Sequence, residues 1–138
     1  MPSSYRNYAV DFDGDGRADL INSVTDAIGS VANYLAQHRW RPGEPLVTRV
    51  IDPPDELQAM TTRGLKAQTP VAKVSALGVP VSAGTGDKLG VMQFDGKMGT
   101  AYRLGHHNFF VITRYNHSQN YGMSVFELAE QVAVATRN

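Results

Sequence analysis

The chain has 138 residues, 13 basic and 13 acidic side chains, and no cysteine. That length is one domain's worth, with room for a real core. A formal charge of zero removes the global field that steers proteins toward nucleic acid or anionic surfaces. The lack of cysteine excludes a disulfide scaffold and a cysteine-ligated zinc site, and it fits a periplasmic or a cytosolic protein equally.

No apolar run approaches the about 20 residues needed to span a bilayer, so no transmembrane segment is expected. Met1-Pro2-Ser3-Ser4-Tyr5-Arg6 has no hydrophobic signal core, so no export signal is expected in the chain as it stands. Residues 1–10 are short and mixed. Asp11-Phe12-Asp13-Gly14-Asp15-Gly16-Arg17-Ala18-Asp19 follows. Carboxylates this close repel each other unless a hard cation gathers them, and Ca²⁺ takes six to eight oxygen ligands. Asp11, Asp13, Asp15 and Gly16 match the first, third, fifth and sixth positions of an EF-hand loop, with Gly16 at the sharp turn. Arg17 falls where only the backbone carbonyl coordinates. The twelfth position should be Glu and is Asn22. Asp26, in the first turn of the next helix, is the residue expected to close the shell. The other reading is an Asp/Gly-rich surface turn without metal.

Ser23 with Asp26 reads as a capping box opening a helix over 24–38. Ile28, Val31 and Leu35 recur at helical spacing, with Ala27, Ala32 and Tyr34 beside them. Arg41-Pro42-Gly43 stops the helix. From Pro42 to Gly105 the apolar runs shorten. A short helix is expected over 55–60, a brief strand over 71–74, and two strands over 89–94 and 100–104. Asp95-Gly96 marks the hairpin between those two. Phe109-Phe110-Val111-Ile112-Thr113 has strand composition, yet Asn108 is able to cap a short helix through Tyr115. A last helix is expected from about Ser118 to the C-terminus, with Tyr121, Val125, Leu128, Ala129 and Val132 as its stripe.

Three segments carry a resemblance. They are Met1–Tyr5 leading into Tyr8-Ala9-Val10 and the acidic loop, Asp26–Leu35, and Ile112-Thr113-Arg114-Tyr115-Asn116-His117-Ser118 with Tyr121-Gly122-Met123. Together they resemble the C-terminal half of the membrane-bound lytic murein transglycosylase B family. The likeness covers nearly the whole chain and is weakest from Glu44 to Thr100. It implies an α+β fold: a lysozyme-like helical core fragment with an EF-hand-type calcium loop and a small β-rich inserted subdomain. The corresponding division is 1–41 for calcium loop and core helix, 42–105 for the β-rich subdomain, and 106–138 for the returning segment and C-terminal helix.

The family cleaves the N-acetylmuramic acid to N-acetylglucosamine bond of peptidoglycan without water, leaving a 1,6-anhydro sugar. One glutamic acid serves as acid and then base, unlike the two-carboxylate plan of most glycosidases. In the family that glutamate precedes the Pro-Ser-Ser-Tyr segment where this chain begins, so no catalytic residue is expected here. Met1 stands where the family has an internal methionine. Glu44 and Glu56 lie in the variable insert, and Glu127 and Glu130 read as an ordinary solvated helix face.

The resemblance assigns Tyr34, Tyr115, Asn116 and Tyr121 to the substrate cleft. Tyrosine faces suit sugar rings, and Asn116 can pair with an N-acetyl group. On the residues alone, Tyr34 and Tyr121 read as helix core in preference to a cleft. The metal set is Asp11, Asp13, Asp15, Arg17 and Asp26, and the cofactor is calcium. His106, His107 and His117 lack the spacing of a metal or catalytic set. The resemblance implies glycan strands as partner, the missing N-terminal catalytic part or self-association through bare apolar stripes, and location in the periplasm or cell envelope. Whether the chain acts as an enzyme stays open. The alternative is a non-catalytic, calcium-stabilised glycan-binding or interaction module.

Overall fold

In a computed structural model, residues 7–81 and 86–137 are described. The chain forms two compact units, one extending to Trp40 and the other starting at Arg41.

The first unit is an acidic loop laid along one helix, α1 (Val24–Gln37). Ser23 caps α1, its hydroxyl accepting from the Asp26 amide. The capping box is only half made, because the Asp26 carboxylate turns to the loop and not back to the Ser23 amide. The helix buries a small and polar face of Asp26, Gly29, Ser30 and Tyr34. A Cβ at Gly29 would fall 2.4 Å from the Phe12 ring, so only glycine admits the loop this closely. The Val10 amide donates to Ser30 Oγ at 2.8 Å, and Asn33 Nδ2 donates to the Tyr8 carbonyl at 3.0 Å. The apolar stripe of the sequence stands outward: Ile28 and Val31 remain 65% and 60% exposed.

The second unit is built on a four-stranded antiparallel sheet in the order β1-β4-β3-β2. Its strands are β1 (Val47–Val50), β2 (Thr69–Pro70), β3 (Lys88–Gly96) and β4 (Gly99–Gly105). The β3–β4 hairpin turns tightly, with Gly96 facing Gly99, so Asp95 lies inside the strand and not in the turn. Two short helices, α2 (Asp55–Gln58) and α3 (Val71–Ser75), precede β3. The expected strand over 71–74 is therefore a helix. Pro70 stands at its N-cap in extended conformation, and Val74 drops into the core.

The side-chain alternation of β3 builds two apolar clusters. Leu89 and Val91 pack with Leu104, Leu57, Val74 and Val79. Met92 packs with Phe109, Phe110 and Met123. Phe109 and Phe110 come from α4 (His107–Thr113), and Met123 from α5 (Gln119–Ala135). Segment 109–113 is thus helical, and its N-cap is His106. Asn108 is buried instead, its Oδ1 accepting from the Arg41 amide at 2.8 Å while Nδ2 donates to the Arg41 carbonyl at 2.7 Å. The sheet and the returning helices share the second of these clusters. α5 begins beside Ser118 as expected, and the Ser118 hydroxyl caps it, but the side of α5 that packs carries Gly122 and Met123, and Leu128 and Val132 are exposed.

Candidate functional site

The acidic loop is shaped by its own carboxylates. Gly14 and Gly16 take φ of +80° and +92°, a region that side chains disfavour, and this lets the backbone turn its N–H groups inward. Asp11 accepts from the amides of Gly14 at 2.8 Å, Asp15 at 3.1 Å and Gly16 at 2.7 Å. Asp15 accepts from the Arg17 amide at 2.9 Å. Asp26, fully buried, receives the Phe12 and Asp13 amides at 2.8 and 3.2 Å on Oδ1 and the Asp19 amide at 2.9 Å on Oδ2. The Asp19 amide foremost, with those of Phe12 and Asp13, holds the Asp26 carboxyl below the usual range. Asp19 itself turns away to accept from the Ile21 and Asn22 amides.

One carboxylate oxygen from each of Asp11, Asp13, Asp15 and Asp26 lies within 4.8 Å of the others. The sequence nominated these same acids as ligands, Asp26 included. The donors are all hard oxygens, without nitrogen or sulfur, which fits a hard divalent cation and not zinc or copper. Sequence reasoning missed the second bond of Ser23. Its hydroxyl, while capping α1, also donates to Asp13 Oδ2 at 3.0 Å. Only the fold of the loop back onto the cap brings residues 13 and 23 together.

The aromatic candidates divide between the units. Tyr34 is buried in the first, its ring stacked on His38 at 4.2 Å and edge-on to Tyr8 at 5.0 Å. The Tyr34 to His38 spacing of one helical turn was the available signal for that stack. Tyr115, Asn116 and Tyr121 lie together in the second unit, at the bend between α4 and α5. The rings of Tyr115 and Tyr121 run nearly parallel, 6.2 Å apart at 28°. Tyr115 and Asn116 are exposed and Tyr121 is half-buried. Burial pushes the Tyr121 phenol up, with Tyr115 adding to it.

None of the chain's glutamates occupies the apolar setting that a general acid needs. Glu44 is half-buried and pairs with Arg41 at 3.7 Å, while Glu56 and Glu127 are exposed. Glu130 corrects the expectation of a merely solvated face. It accepts from both terminal guanidinium nitrogens of Arg49, at 3.2 and 2.6 Å, and Arg49 lies over the Phe126 ring. That bidentate bond pushes the Glu130 carboxyl down, the reverse of a general acid. His106 is buried and its Nε2 lies 2.7 Å from Thr48 Oγ1, a structural placement. His107 is half-buried and His117 exposed. Among the described residues no helix is long and apolar enough to cross a membrane.

A family model described as a transglycosylase SLT domain matches residues 1–130. A curated relative, membrane-bound lytic murein transglycosylase B of Escherichia coli (strain K12), is 39% identical over 137 residues, 98% of this chain and 37% of the relative. Among solved structures, soluble lytic transglycosylase SltB1 of Pseudomonas aeruginosa is similar with a TM-score of 0.86 and 43% identity, over 98% of this chain and 45% of that one. The Escherichia coli lytic transglycosylase Slt35 in complex with calcium gives 0.82 and 37%, over 98% and 42%. SltB3 of Pseudomonas aeruginosa in complex with NAG-NAM-pentapeptide gives 0.76 and 33%, over 91% and 34%. The chain therefore spans less than half the length of each of these relatives.

Proposed function

The chain belongs to the transglycosylase SLT domain family, and from that premise we propose that it is the C-terminal, glycan-handling part of a peptidoglycan lytic transglycosylase of the bacterial cell envelope. The observation that carries this reading is the 39% identity to a lytic murein transglycosylase across 98% of the chain. The relative complexed with a muropeptide supports glycan as the ligand class. In this reading Tyr115, Asn116 and Tyr121 of the second unit meet sugar rings and N-acetyl groups, and Tyr34 of the first unit is a substrate-binding residue in its own right. The chain by itself grips glycan without cutting it, because its glutamates are paired or exposed.

The acidic loop serves as a calcium clamp, with Asp11, Asp13, Asp15, Asp26 and the Arg17 carbonyl as ligands. The convergent carboxylates and the calcium complex of a relative support this. The ion's part is to neutralise the gathered charge and fix the loop on α1, with no role in bond cleavage. The division at residues 41 and 105 is a proposal of the same standing. So is self-association through Ile28, Val31, Leu128 and Val132, whose exposure favours it.

The test is incubation with purified peptidoglycan. Retention on the sacculi without release of 1,6-anhydro products is expected, and Tyr115→Ala weakens retention about fivefold. Release of anhydro products by this chain alone, or no retention, overturns the reading. For calcium, saturation at a hundred times Kd stabilises by about 2.7 kcal/mol. No change in Tm between millimolar calcium and chelator removes the clamp.

A further inference from the structure

Three residues in the first unit close a ring of hydrogen bonds. The Asp13 amide donates to Asp26 Oδ1 at 3.2 Å, the Asp26 amide donates to Ser23 Oγ at 3.1 Å, and the Ser23 hydroxyl donates to Asp13 Oδ2 at 3.0 Å. The directions are fixed by chemistry. An amide N–H only donates, an ionised carboxylate only accepts, and a hydroxyl has a single proton. Ser23 must therefore accept from the helix and give its proton to the loop. Its own amide is committed to the Asp19 carbonyl at 3.1 Å, and its carbonyl accepts from the Ala27 amide at 3.0 Å. Asp13 and Asp26 are also members of the convergent carboxylate set. Ser23 is the one member of the ring outside that set.

We propose that Ser23 is the positioning residue that couples the cation site to the start of helix α1. The proposal rests on the calcium reading above. Its hydroxyl fixes the Asp13 carboxylate before the ion arrives, while its oxygen holds the first turn of the helix. An ion that draws in Asp13 and Asp26 tightens the ring, and the tightened ring steadies the cap. Linkage makes the effect reciprocal: a cap that loosens Asp13 weakens the ion.

The experiment uses the full chain as wild type, Ser23→Ala and Ser23→Thr, with calcium itself as the probe. Calcium affinity is measured by titration calorimetry, and hydrogen exchange at the Asp26 amide is followed with and without calcium. Ser23→Ala is expected to bind about fivefold more weakly, the loss of one hydrogen bond. Ser23→Thr, which keeps both roles of the hydroxyl, restores wild-type affinity. Calcium slows exchange at the Asp26 amide in wild type and leaves it unchanged in Ser23→Ala. Unchanged affinity in Ser23→Ala reduces Ser23 to a helix cap and overturns the proposal. Should Ser23→Ala fail to fold, the wild-type exchange decides alone: calcium without effect on the Asp26 amide overturns it. Wild type that binds no calcium at all removes the clamp and the coupling together, and so is told apart from failure of the coupling alone.

Discussion

The two units are held by different forces. In the first, the loop is fastened to α1 by carboxylates and hydroxyls accepting backbone amides, and the helix buries Asp26, Gly29 and Ser30 where a core would place leucine. In the second, two apolar clusters cover the sheet, and residues such as Leu57, Val74, Leu89, Met92 and Phe109 are fully buried. Hydrophobic burial is indifferent to ions, whereas gathered carboxylates depend on what neutralises them. The first unit is accordingly the one expected to answer to cations, and the second the one expected to answer to loss of volume.

The largest break in that contrast is a cavity. Phe109 lies at 0% exposure between Met92, Phe110 and Met123. Phe109→Ala is expected to cost about 4 kcal/mol. Differential scanning calorimetry should show the loss equally in calcium and in chelator. Recovery of most of it by calcium would erase the contrast between the two units.

The opposite probe is Asp26→Asn. An amide in that place keeps the volume, but it loses the charge and turns an NH₂ toward backbone donors that need an acceptor. Calcium affinity should fall by about tenfold or more, read by calorimetry, and exchange at the Phe12 and Asp19 amides should quicken. The amides of β3 and β4 should be unaffected. Quickened exchange in those strands would erase the distinction.

These contrasts were unevenly legible in the sequence. The Asp11–Gly16 spacing and the extra carboxylate at Asp26 were local signals, and the structure gathers those side chains. Both long helices and the β3–β4 hairpin were also visible, because the Ser23 cap, helical periodicity and the short polar link between two apolar runs act over a few residues. Failures came where a partner far along the chain decides. Val71–Val74 is helical despite its strand composition, and Val74 packs there with Leu57, Leu89 and Leu104. On α5, periodicity chose Leu128 and Val132, whereas the Phe109 ring selects Gly122 and Met123. Periodicity finds the apolar side of a helix, and it does not say that this side is the one that packs.

Acid separates the units in a second way. His106 in the second unit is buried, and burial holds its imidazole below the usual range, with the Glu44 charge acting the other way. The unfolded chain takes up that proton near pH 6.5 while the folded chain resists it. Stability from this group is therefore full above that pH and declines as the pH drops, by up to about 1.4 kcal/mol per unit. Asp26 in the first unit is lowered too, but its contribution is lost only below the ordinary carboxylate range. Urea melts from pH 7 to 5 should show the second unit softening first, and His106→Gln should flatten the slope. An unchanged slope in that variant would place the acid response elsewhere.

The smallest expected effect tests whether the second unit is purely a packed core. The Arg49–Glu130 pair ties β1 to α5 downstream of the buried turn at Gly122 and Met123. Both partners are about half exposed, at 51% and 41%, so water and salt screen them and the pair contributes little. Its geometry is nevertheless bidentate, and Arg49 also covers Phe126. Glu130→Gln should lower Tm by a few degrees at most, and the difference from wild type should shrink as salt rises through 0.5 M. A larger loss that salt leaves untouched would mean that α5 is held by this clasp more than by Met123, and that charge organises the second unit as it does the first.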